Sequence, residues 1–78
     1  MRSIGKRNIN KVVKLTHDEL RKCKTPWGQY DVDYNKVEET VIEKLPLELW
    51  NTWEMADQEI RRIIDDELTK FSYGHLQL

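Results

Sequence analysis

Apolar and polar positions divide the 78 residues into a patternless start and segments of increasing periodicity. Residues 1–8 (MRSIGKRN) show no period and contain Gly5, which predicts a flexible basic arm ahead of a single small helical domain over 9–78. Over 9–15 (INKVVKL), Ile9, Val13 and Leu15 share one alternating face with Val12 opposite. That alternation predicts a short extended segment or edge strand, although Lys11 interrupts the apolar side. Thr16-His17-Asp18-Glu19 then fits a capping box, in which the Thr hydroxyl and the Glu carboxylate satisfy backbone N–H groups at a helix start. Asp18 and Glu19 suit the positive end of a helix dipole, and Arg21, Lys22 and Lys24 suit the negative end. The expectation is a short helix over 17–24 with Leu20 and Cys23 facing inward.

Thr25-Pro26-Trp27-Gly28 reads as the stop of that helix, since Pro26 disfavours helix at Thr25 and Gly28 permits positive φ. Asp31 and Asp33 are both good N-cap residues for the next element. From Tyr34 the apolar positions Tyr34, Val37, Val41 and Leu45 step by three, four and four, with Glu38, Glu39 and Glu43 outside. Pro46 ends this second helix near Leu45. A third, longer helix is predicted over 47–71 from Leu49, Trp50, Trp53, Ala56, Ile60, Ile63, Ile64, Leu68 and Phe71, with Gly74 as the C′ residue. The fold class is therefore mainly α. A rod of about 37 Å exceeds two partners of about 12 and 17 Å, so a homodimer is expected. Its seam would run through Trp50, Trp53, Ile60, Ile64 and Phe71.

Charge changes the picture more than composition does. The net charge of −1 is divided: residues 1–24 hold eight Lys/Arg against two carboxylates (+6), and residues 25–78 hold five against twelve (−7). The two halves either attract each other or face different partners. Three Trp, three Tyr and one Phe supply enough burial to argue against disorder. No apolar run is long enough to span a membrane, no signal segment opens the chain, and Cys23 is the single cysteine. A reducing, cytoplasmic setting fits.

Catalytic chemistry finds no foothold. His17, Cys23 and His75 lack zinc-site spacing, and Asp65, Asp66 and Glu67 point about 100° apart on a helix, so no metal or cofactor is expected. Cys23 falls on an inward face, the three glycines are isolated, and the only serines lie near the ends. A non-enzymatic protein-binding module fits more of the residues. Trp27 and Tyr30 stand on a loop beside Asp31 and Asp33, with Glu38 and Glu39 following, and aromatic residues of this kind are interface anchors. The partner would be a protein with a basic surface. The alternative is a small nucleic-acid-binding regulator using Arg2, Lys6, Arg7, Lys11, Lys14, Arg21 and Lys22 within residues 2–24.

Within LTHDELRKCKTPWGQY (residues 15–30), Leu15, Thr16, Leu20, Thr25, Pro26, Gly28 and Tyr30 form a Leu-Thr, a following Leu and a Thr-Pro-x-Gly turn before an aromatic. This segment resembles one found in small uncharacterised phage and prophage proteins. The chain departs from that pattern after Tyr30. The resemblance implies a viral or mobile-element origin, a host-cell cytoplasmic location and action as an inhibitor or modulator of a host protein; it assigns no site residues.

Overall fold

The computed structural model describes residues 5–45, 56–76 and 78, with the side chains of 56 and 57 excepted. The described residues contain three helices: α1 (Lys6–Arg21), α2 (Tyr34–Lys44) and α3 (Ala56–Ser72). The chain is small and mainly helical, as the periodicity predicts. Trp50 and Trp53 and the expected start of the third helix at 47 lie outside the described residues.

The largest correction concerns α1. The expected edge strand over 9–15 and residues 17–21 of the expected short helix over 17–24 belong to one 16-residue helix, which begins inside the expected arm. Its core face is Val12, Thr16, Glu19 and Leu20, a helical repeat in which two members are polar. Thr16 is fully buried, and its hydroxyl donates to the Val12 carbonyl at 2.8 Å. The hydroxyl is thus satisfied within the helix, where the sequence pattern places a cap. Glu19 is likewise buried and accepts from Lys22 Nζ (3.0 Å) and Lys44 Nζ (2.7 Å) instead of completing a capping box.

The other helix ends follow local chemistry. Asp33 Oδ1 accepts from the Lys36 backbone N–H at 3.3 Å and caps α2. Leu45 leaves the helical region at ψ 141, as a residue preceding proline does. At the end of α3, Gly74 adopts φ +74 while its N–H donates to Phe71 O (3.0 Å) and that of His75 donates to Lys70 O (2.8 Å). Those two bonds form a Schellman motif with Gly74 at C′.

The core joins all three helices: Val12 and Leu20 from α1, Val37 and Val41 from α2 with Leu45 just beyond, and Ile60, Ile64 and Leu68 from α3. α1 lies against both other helices, which touch each other less. With 16 residues α1 extends about 24 Å, close to the roughly 26 Å of α3. Ile60 and Ile64, expected in a dimer seam, are both 0% exposed within a single chain. Phe71 is partly buried, with Tyr30 of the same chain against its ring. Two ion-pair clusters tie the helices: Glu19 with Lys22 and Lys44, and Glu67 with His17 Nε2 (2.7 Å) and Lys70 Nζ (2.9 Å).

Candidate functional site

α1 stops at Arg21, four residues before Thr25, so the Thr-Pro-Trp-Gly turn is not the helix terminus but the tip of a separate loop. The loop is cross-tied. Lys24 and Tyr30 form an antiparallel bridge, and the Asp31 N–H donates to Cys23 O at 3.0 Å. Inside that closure the Thr25 N–H donates to Gln29 O (2.6 Å), the Gly28 N–H donates to Thr25 O (3.0 Å), and the Gln29 N–H donates to Thr25 Oγ1 (3.2 Å). Pro26 supplies a fixed φ at the first corner, and Gly28 supplies φ +84. A Cβ added at Gly28 would meet nothing within 4 Å, so only backbone strain opposes a side chain there. Gly28→Ala is expected to destabilise the protein by about 1–2 kcal/mol, read as a fall in thermal midpoint of several degrees.

This scaffold presents Trp27 at its tip, 85% exposed. Tyr30 points the other way: its ring meets Phe71 edge-on with centroids 5.1 Å apart and planes at 77°. That contact fastens the loop to α3 and leaves Tyr30 38% exposed. Tyr30 therefore carries structure as well as surface. Asp31 is exposed, and among the described residues its carboxylate has no hydrogen-bond or ion-pair partner. Asp33 is occupied as the α2 cap.

Beside the loop lies an open cleft of about 550 Å³, whose lining includes Glu19, Lys22, Cys23, Asp31, Asp33 and Lys36. Both signs of charge line it. Cys23 is half-buried, and its thiol donates to the Glu19 carbonyl at 3.3 Å. Burial, then the charges of Glu19, Asp31 and Asp33, push the thiol above its ordinary range, so it stays protonated at neutral pH and is a poor nucleophile.

The remaining acidic candidates do not join the loop. Glu38 accepts from Arg61 at 3.1 Å and lines a second cleft, of about 450 Å³, with Asp65. Burial and then the Asp65 charge raise the Glu38 carboxyl above the usual range. Glu39 is exposed on α2. The predicted acidic and aromatic surface thus resolves into Trp27, part of Tyr30 and Asp31, with Glu38 and Glu39 elsewhere.

The basic candidates also separate. Arg21 is paired with Asp18 (2.8 Å) and Lys22 with Glu19 (3.0 Å), while Lys6, Arg7, Lys11 and Lys14 stand exposed on the outside of α1. Arg2 lies outside the described residues. Among the described residues no three His, Cys, Asp or Glu side chains are placed to hold a metal ion, and no helix is long and apolar enough to cross a membrane. Comparison with family models, with curated proteins and with solved structures gives no match. The site's own chemistry therefore carries the functional reading.

Sequence reasoning missed the two carboxylate clusters. Glu19 and Lys44 are 25 residues apart and His17 and Glu67 are 50 apart, so no local spacing announces either pair.

Proposed function

We propose that this chain is a non-enzymatic protein-binding module whose anchor is Trp27. One observation carries the reading: a large indole is held 85% exposed at the tip of a loop closed by backbone hydrogen bonds. Exposing an indole forgoes its burial energy. A rigid loop reduces the ordering cost when a partner covers that ring. Trp is also enriched, with Tyr and Arg, among the residues that anchor interfaces. Asp31 beside it suits a basic partner surface. In its narrower form the partner is a host protein that a phage-encoded inhibitor or modulator would occupy, which rests on the resemblance of residues 15–30 and on the acidic balance of residues 25–78. The setting would be the cytoplasm of the host cell. Self-association belongs to this reading only through residues other than Ile60 and Ile64, which the chain covers itself.

The test compares wild type with Trp27→Ala in capture from the source cell's lysate, followed by titration of the captured protein. Trp27→Ala is expected to lower affinity by at least about 30-fold, or 2 kcal/mol. Stability should stay within about 0.5 kcal/mol, because the ring packs on nothing that matters to the core. An unchanged set of partners with unchanged affinity would overturn the proposal.

A further inference from the structure

We propose that the outer face of the first three turns of α1 is a docking strip for the phosphate backbone of a nucleic acid. The strip is Lys6, Arg7, Asn10, Lys11 and Lys14, all exposed. Arg7, Asn10, Lys11 and Lys14 lie away from the buried face of Val12, Thr16 and Leu20, and Lys6 stands at the flank of that face. Arg7, Lys11 and Lys14 are spaced i, i+4, i+7, so their side chains form one row along the helix. Among the described residues none of the four cations is held by a carboxylate. The first turn of α1 contains no acidic residue. The acids farther along the helix are occupied, Asp18 by Arg21 and Glu19 by Lys22 and Lys44.

That pairing decides which cations are available. The sequence offers seven basic candidates over 2–24; the fold neutralises Arg21 and Lys22 locally and collects four others on one side. From Lys6 to Lys14 is about 12 Å along the axis, the length of three to four phosphates on one strand. A fixed row of cations at this spacing complements a regular polyanion. An anionic membrane is the weaker match. A membrane-surface helix needs an apolar face to insert, whereas α1 commits Val12 and Leu20 to the core and the strip itself carries no apolar side chain. Contacts of this type position a protein without reading sequence. The strip is independent of Trp27, so the two proposals stand or fall separately.

The experiment is fluorescence anisotropy of the full chain with duplexes of random sequence, about 25 base pairs, one of DNA and one of RNA, from about 50 to about 200 mM salt. Four phosphate contacts predict a slope of log K against log salt of about −3 to −4, a loss of about a hundredfold over that range. Lys11→Glu/Lys14→Glu is expected to weaken binding at about 50 mM salt at least tenfold and to flatten the slope by about 2. Lys36→Glu/Arg62→Glu, an equal charge change at exposed sites on α2 and α3, should lose much less. Circular dichroism checks that each variant keeps its helices, and Lys11→Gln/Lys14→Gln serves if the Glu pair does not. Absence of binding to both duplexes at about 50 mM salt would overturn the proposal. So would equal losses in the two charge-matched pairs, or binding to phosphatidylserine vesicles without binding to either duplex.

Discussion

Ile64→Ala is expected to leave most of the protein unfolded at 25 °C. Ile64 is 0% exposed, in a core that draws residues from all three helices. Truncating a buried Ile to Ala costs about 2–5 kcal/mol, the sum of lost transfer energy and the cavity left behind. A single core in a chain of this length supplies only about 3–5 kcal/mol in total. The loss is therefore of the same size as the whole stability. Ile64→Val, which removes one methyl group, should cost about 0.5–1.5 kcal/mol and keep the fold. Urea titration followed by circular dichroism distinguishes the two outcomes. A folded, cooperative Ile64→Ala protein would mean that something besides this core holds the helices, a second copy of the chain included.

The second large effect is expected from acid and from Glu19. The hydrogen bond from Lys44, with that from Lys22, lowers the Glu19 carboxyl below its ordinary value despite burial. At Glu67 burial pushes upward, and the Lys70 and His17 hydrogen bonds outweigh it, so this carboxyl is lowered too. A carboxyl lowered in the folded state contributes stability above its unfolded value, about 4.3, and loses it as pH falls through the folded value. Glu38 is raised, so its share has the opposite sign: present at low pH, and lost as pH rises through the raised value. The stability that Glu19 and Glu67 contribute should therefore be lost on acidification below about pH 4.3, with the Glu38 share acting in the other direction. Glu19→Gln keeps the shape and removes the charge. It should cost about 1.5–3 kcal/mol at pH 7, the range for hydrogen bonds to charged groups, and progressively less toward pH 3. Urea midpoints at both pH values measure this. A pH-independent difference would show that Glu19 contributes packing alone.

The second expectation rests on Glu19, which with Thr16 is a polar residue that the sequence pattern misplaces. Thr16 and Glu19 fit a helix start by their spacing, and in the fold they occupy core positions in the middle and last turn of α1. Their polarity breaks the apolar repeat, which makes Ile9–Leu15 resemble an alternating strand and hides a 16-residue helix. Thr16 finds its partner inside α1, at the Val12 carbonyl, and packing of α1 on α2 adds Lys44 to Lys22 at Glu19. Where the chemistry is local, the pattern holds. Asp33 caps α2, Leu45 ends it before Pro46, and Gly74 closes α3 as its C′ residue. The loop divides in the same way. Pro26 and Gly28 mark a turn with Trp27 between them, while the seat of Tyr30 on Phe71 joins residues 41 positions apart that no short motif connects.

Local chemistry along the chain is enough for the helical class, the extent of α2, the apolar stripe and stop of α3, and an aromatic turn at Trp27. Each follows from interactions within a few residues: capping, proline geometry, helical periodicity, a glycine at positive φ. Packing between the helices is what makes α1 a single helix and covers Ile60 and Ile64 within one chain. It likewise decided which of the basic residues remain available. Those outcomes depend on which side chains meet across helices, where burial and ion pairing act between residues far apart in the chain.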